Sequence, residues 1–161
     1  MDLLILVTLG TNDKTFIRLV KEIERLIEAG YLKEEVVIQA GYTKYESDKM
    51  KIFDLIPMER FDELIAECSC LITHGGVGSI IAGLKNKKKV IAVPRLAKYE
   101  EHVNDHQIQI IRNFDSAGYI IGITEVAELQ NAIERLDTFE PQAYESNTSH
   151  MIDLVRSHIE N

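Results

Sequence analysis

Leu3–Leu9 is a continuous apolar run, with Thr8 its one hydroxyl, that stops at Gly10-Thr11-Asn12-Asp13. A strand with no polar alternation has both faces buried, which places it inside a sheet covered by layers on either side. The rest of the chain supplies those layers. From Lys14 to Ala29, the residues Phe16, Leu19, Val20, Ile23, Leu26 and Ile27 recur at helical spacing, and Gly30 stops the helix. Val36–Ile38 reads as a second strand, and the polar stretch Thr43–Lys51 as a loop leading into Ile52–Ile56 and Pro57. A helix over Glu59–Cys68 precedes a strand over Cys70–Thr73, a glycine turn over His74–Ser79 and a helix from Ser79 to Asn86. Further strands are expected at Val90–Val93 and Tyr119–Ile121, with helices over Asn104–Phe114, Glu125–Leu136 and Ala143–Ile159. Strand–helix alternation with short links predicts a parallel sheet covered by helices on both faces. With no repeat, low-complexity segment or linker, residues 1–161 read as a single Rossmann-like α/β domain.

A chain of 161 residues is large enough to bury a core. Its net charge of −8 argues against a nucleic-acid binder, which needs a basic face, but leaves room for a small phosphorylated ligand that senses only the local field. Cys68 and Cys70, two apart, would share one strand face, where a disulfide is awkward; reduced structural thiols of a cytosolic protein are expected. No basic residue precedes the first apolar run, no small-residue cleavage site follows it, and no run reaches about 18 apolar residues. A soluble, cytoplasmic chain is the expectation.

The segment richest in chemistry is the strand feeding His74-Gly75-Gly76-Val77-Gly78-Ser79 and the helix beyond. Glycines admit an anion to the backbone N–H groups, and a helix start adds unpaired donors and partial positive charge. The spacing is neither the dinucleotide fingerprint nor a P-loop. A diphosphate site is the reading preferred over a bare turn. Gly10-Thr11-Asn12 forms a second small-residue junction; alone it is equally a structural turn, but beside the first it would hold one diphosphate from two sides.

Tyr99–Gln107 is dense in polar groups suited to sugar hydroxyls. A solvated helix start and a metal pair at His102 and His106 are the alternatives, although Val103 stands where a zincin motif needs glutamate. Lys85, Lys87, Lys88 and Lys89 match a helix C-terminus, whereas Arg95 and Lys98 are placed to meet phosphate or an anionic membrane.

The His74–Ser79 turn, Val90–Arg95 and Glu101-His102-Val103-Asn104-Asp105-His106-Gln107 together resemble the split glycosyltransferases. These are similar to the C-terminal domain of family 28 transferases, the Rossmann-like C-terminal half of a GT-B architecture. The resemblance spans roughly Leu3 to Ala127 and points most strongly to the bacterial capsule and exopolysaccharide branch; the eukaryotic dolichol-linked N-acetylglucosamine transferase is another branch. It implies that Gly75, Gly76, Gly78 and Ser79 hold the diphosphate of a UDP-sugar, with Gly10 and Thr11 facing them. It places His74 beside the phosphates as the candidate catalytic residue, Asp105 and Gln107 on hydroxyls of the transferred sugar, and the backbone near Pro57 and Met58 against uracil. One departure stands out: many relatives carry a glutamate for the ribose three residues after the serine, where this chain has Ala82.

The same resemblance implies inverting transfer of a hexose to a lipid-linked saccharide. Backbone donors would stabilise departing UDP without cofactor or metal, in keeping with the lack of an Asp-x-Asp motif. A membrane-anchored partner subunit would supply the acceptor site and hold the chain at the inner face of the plasma membrane. Asp13, His74 and His102 are candidate bases. The last helix, apolar at Met151, Ile152, Leu154, Val155 and Ile159, packs on its own domain or docks on the partner. A sugar-nucleotide epimerase and a non-catalytic nucleotide-sensing subunit are the rival readings.

Overall fold

The computed structural model describes residues 4–145 and 149–159; Leu3, residues 146–148 of the expected last helix and the side chain of Ile159 lie outside the described residues. Six parallel strands form one sheet: β1 (Leu4–Thr8), β2 (Glu35–Gln39), β3 (Lys51–Phe53), β4 (Cys70–His74), β5 (Lys89–Val93) and β6 (Ile121–Gly122). Their spatial order is β3-β2-β1-β4-β5-β6. The chain winds outward from β1 to β3, then returns to β4 and winds the other way. The strand order therefore reverses between β1 and β4, and a doubly wound sheet opens a crevice at such a point beyond the strand C-termini.

Helices α1 (Ile17–Glu28) and α5 (Leu129–Arg135) cover one face, while α2 (Met58–Glu67), α3 (Val77–Lys85), α4 (His106–Ser116) and α6 (Ser149–Ile159) cover the other. Alternation along β1 feeds both layers: Ile5 and Val7 meet Leu19, Val20 and Ile23 of α1, and Leu4 and Leu6 join Leu64, Ile80 and Phe114 opposite. This two-sided burial is why the strand carries no polar residue before Thr8.

Several boundaries differ from the sequence reading. β3 is a strand within the segment read as loop and apolar run; with only three residues, two of them exposed, it presents no apolar alternation. α3 starts at Val77, two residues early, because extended Gly76 acts as its N-cap and puts Gly78 and Ser79 in the first turn. β6 is shifted to Ile121–Gly122, and Glu125–Leu136 divides into a 3₁₀ turn at Val126–Glu128 and α5, with Glu125 and Glu128 forming a capping box. Cys68 and Cys70 do not share a strand face. Cys68 ends α2 and packs in one layer, Cys70 opens β4 and packs in the other, and burial pushes both free thiols up. Ala143–Glu145 are not helical, the described part of the last helix is Ser149–Ile159, and its Met151, Leu154 and Val155 pack on this domain's own core while Ile152 is exposed. Among the described residues no helix is long and apolar enough to cross a membrane.

Two lysines of the cluster serve helix ends, those of α2 and α5 rather than that of α3. Lys88 Nζ donates to Ala66 O in the last turn of α2 (2.7 Å), and Lys89 Nζ to Leu136 O at the end of α5 (2.5 Å). Both satisfy carbonyls that a helix C-terminus leaves open.

Candidate functional site

At the reversal between β1 and β4, Thr8 and Thr73 are register partners, joined by a buried hydrogen bond from Thr8 Oγ1 to Thr73 Oγ1 (2.9 Å). Two residues further, each strand reaches a glycine. Gly10 takes φ +80°, and a Cβ there would lie 2.7 Å from both Cε1 and Nε2 of His74. A Cβ on Gly76 would lie 2.8 Å from His74 Nε2 and closer still to Cε1. The imidazole edge thus occupies the gap between the two junctions, and both positions must be glycine for it to fit. Gly75 is demanded by α4, since a Cβ would meet that of Gln107 at 2.6 Å, whereas Gly78 faces open space.

α3 begins with no side-chain cap. The first amides of an α-helix lack intrahelical acceptors, so Val77, Gly78 and Ser79 present donors and the positive end of the dipole at this crevice. The opposite loop is held by side chains. Asn12 Oδ1 accepts from Lys14 N (2.8 Å), and buried Thr43, from the loop after β2, accepts from Phe16 N (2.9 Å) at the start of α1. Thr11 is exposed between them.

Gln107, at the start of α4, joins three elements. Its Oε1 accepts from Gly75 N (3.0 Å) and Arg95 N (2.9 Å), and its Nε2 lies 3.1 Å from His74 Nδ1. The oxygen is therefore fully used, leaving one amide N–H for any ligand. Asp105 Oδ1 accepts from Ala97 N (2.8 Å), and the exposed carboxylate retains its other oxygen. Asn104 and His102 make local turns, with Asn104 Oδ1 accepting from His106 N (3.0 Å) and His102 Nδ1 from Asn104 N (3.3 Å). Among the described residues no three His, Cys, Asp or Glu side chains gather as a metal site.

Arg95 is not turned outward to meet phosphate or a membrane surface, as its loop position suggested; it is 1% exposed. Its guanidinium donates to Leu9 O from Nε and Nη2, to Lys14 O (2.8 Å) and to Glu101 O (3.0 Å), and lies over the Phe16 ring. It staples the β5 loop to the β1 loop. Lys98 is paired with Glu125 at 2.9 Å rather than unengaged. Buried Glu101 grips Arg18 of α1 with both oxygens, at 3.0 Å each, and Oε1 also accepts from Leu96 N. Much of the polarity of 99–107 is therefore structural. Partners 83 residues apart, as Arg18 and Glu101 are, leave no local signal in one sequence.

His74 keeps an accessible edge but is walled in by protein. Burial, then the nearby Arg95 charge and His102, lower its pKa from 6.5 to about 4. The unfolded chain therefore binds the extra proton between about pH 6.5 and about 4 while the folded chain does not, and stability falls on acidification through that window. The expected loss is roughly 3 kcal/mol. Urea unfolding at about pH 7.5 and about pH 4.5 should show a difference that shrinks in His74→Asn; an equal difference in both proteins would contradict it.

Met58 lies at the first turn of α2, 74% exposed, beside Pro57. A groove of ≈ 590 Å³ reaches Pro57 at one end and runs between α2 and β2–β3 toward Leu4 and Ser69. None of its lining residues belongs to the Gly10–His74–Gly76 crevice.

A parallel sheet whose order reverses between β1 and β4, with glycine junctions at that point, is a Rossmann-like α/β domain, and it matches the C-terminal half of a GT-B architecture. Residues 4–161 match the glycosyltransferase family 28 C-terminal domain, and the chain belongs to that family. It is 31% identical over 131 residues to the UDP-N-acetylglucosamine transferase subunit ALG13 of Candida glabrata; the match takes in 80% of this chain and 58% of that relative, so the chain spans little more than half the relative's length. The solution structure of an ALG13 superposes over 99% of this chain and 96% of its own, with TM-score 0.63 and 20% identity. The Methanocaldococcus jannaschii UDP-GlcNAc 2-epimerase, solved with UDP-GlcNAc and UDP, matches 99% of this chain and 46% of its own, with TM-score 0.64 and 16% identity. At these identities the likenesses speak for the fold.

Proposed function

We propose that this chain is the donor-binding, catalytic half of a two-component inverting glycosyltransferase that takes a hexose from a UDP-sugar. The observation that carries the reading is the uncapped start of α3 facing Gly10 across the switch-point crevice, with the His74 edge between them. The diphosphate lies against the amides of Gly76, Val77, Gly78 and Ser79, with Gly10 and Thr11 on its other side. Asp105 and the remaining amide N–H of Gln107 reach the sugar, and the backbone at Pro57 and Met58 lies against uracil.

In the transfer, the bond from the anomeric carbon to the diphosphate breaks with its electron pair leaving on UDP. The acceptor hydroxyl oxygen bonds that carbon from the opposite face, and its proton passes to a base. Charge grows on the diphosphate as this happens, and preorganised backbone donors meet it with no cofactor or metal required. The acceptor, a lipid-linked saccharide, and the base come from a membrane-anchored partner subunit, which holds this chain at the inner face of the plasma membrane. Family membership and the likeness to a relative named as a transferase subunit support the split arrangement; the sequence pattern at 101–107 supports a capsule or exopolysaccharide product.

Labelled UDP-N-acetylglucosamine, UDP-galactose and UDP-glucuronate, incubated with this chain and membranes of the cells that produce it, separate the readings. Label from one donor is expected in the lipid fraction only when the chain is present. Epimerised nucleotide without transfer would mean an epimerase, and unchanged donor in the presence of membranes a sensing subunit.

A further inference from the structure

The amide of Gln107 has its orientation fixed by two backbone N–H groups. Gly75 N and Arg95 N both donate to it, at 3.0 and 2.9 Å, so the atom they meet is the oxygen. The atom 3.1 Å from His74 Nδ1 is then the NH₂ group, a donor without acceptor capacity. His74 Nδ1 must accept, and a neutral imidazole that accepts at Nδ1 carries its proton on Nε2. That Nε2 edge lies between Gly10 and Gly76.

We propose that Gln107 is a positioning residue that holds His74 as a neutral imidazole with its Nε2–H donor aimed into the crevice between the two glycine junctions. This rests on the donor-diphosphate reading for its purpose, though not for its geometry. The charged and titratable groups facing the ring are Arg95, beyond β5, and His102, before α4; both disfavour a second proton. His74 thus offers a leaving-group oxygen one N–H that does not titrate away near neutral pH, and it is ill-suited as a base because Nδ1 is engaged and Nε2 is already protonated. The same Gln107 oxygen ties the β4 turn to the β5 loop, so the direction of the donor and the shape of the turn are set together.

Gln107→Glu tests this with almost no change in shape. One carboxylate oxygen still accepts from Gly75 and Arg95, but the other now faces Nδ1 as an acceptor and draws a proton onto it. Long-range ¹H–¹⁵N spectra of the intact chain read the tautomer directly. Wild-type His74 is expected to show an unprotonated Nδ1 and a protonated Nε2, unchanged from about pH 8.5 down to about 5.5, while the variant shows a protonated Nδ1 and a raised pKa. UDP affinity in the wild type should be flat from about pH 8.5 to about 6.5, whereas in Gln107→Glu it should tighten about tenfold on acidification as Nε2 regains its proton.

A protonated Nδ1 in the wild type, or a variant with the wild-type tautomer and a flat profile, overturns the proposal. The wild-type spectrum decides alone if the variant does not fold. The expected tautomers with no UDP binding at any pH would sink the donor reading and leave the Gln107 assignment standing.

Discussion

Gly76→Asp is expected to fold and to lose UDP binding by at least about 100-fold, about 2.7 kcal/mol. Position 76 is the N-cap of α3, in an extended conformation open to any residue, and no side chain caps that helix. Aspartate is among the best N-cap residues, so its carboxylate would satisfy the first-turn amides and stabilise the helix. Those are the amides assigned to the diphosphate, and the variant fills its own site with a competing anion. Its Cβ also meets His74 Nε2 at 2.8 Å, which swings the ring away from Gln107. A thermal melt and a calorimetric titration of the same preparation check both halves. Gly76→Ala, which brings the clash without the charge, should show an intermediate loss. Unchanged UDP affinity in a folded Gly76→Asp protein would remove α3 from the site.

Arg95→Met should be the more damaging change to the fold, costing about 3–5 kcal/mol in urea unfolding. The methionine fills part of the volume but leaves Leu9 O, Lys14 O and Glu101 O without the donors they now have, inside protein. Arg95→Lys should not restore stability, because one ammonium does not reach carbonyls on three segments in the directions of a planar fork. The Gly10 junction follows Leu9 directly, so UDP affinity should fall in the surviving folded fraction. A loss under about 1 kcal/mol would mean that the staple is incidental.

The core was legible in the sequence because burial leaves a local trace. β1, α1 and β5 are found from apolar runs and helical spacing, and the glycine turn marks the β4–α3 junction. Elements without that trace escape. β3 is three residues at a sheet edge, and the 3₁₀ turn before α5 is set by the Glu125–Glu128 capping box rather than by apolar period. At the crevice, residue types pointed to loops that the sheet order brings together, but not to the hydrogen bonds each side chain makes there. Arg95 read as a contact for phosphate or an anionic membrane and Glu101 as part of a ligand-binding polar segment, yet they bind Leu9, Lys14 and Arg18, some 80 positions away. Gln107 read as a sugar ligand, and its oxygen serves two backbone amides. Such roles depend on which segments the sheet order brings together.

Calorimetric titration of the purified chain with UDP, beside ADP and NAD as controls, tests the central claim most directly. One UDP bound per chain, with ADP and NAD at least about tenfold weaker and the heat lost in Gly76→Asp, is the predicted result. UDP binding no tighter than ADP, or equal binding in Gly76→Asp, would contradict a uridine-diphosphate site at the junction of β4 and α3.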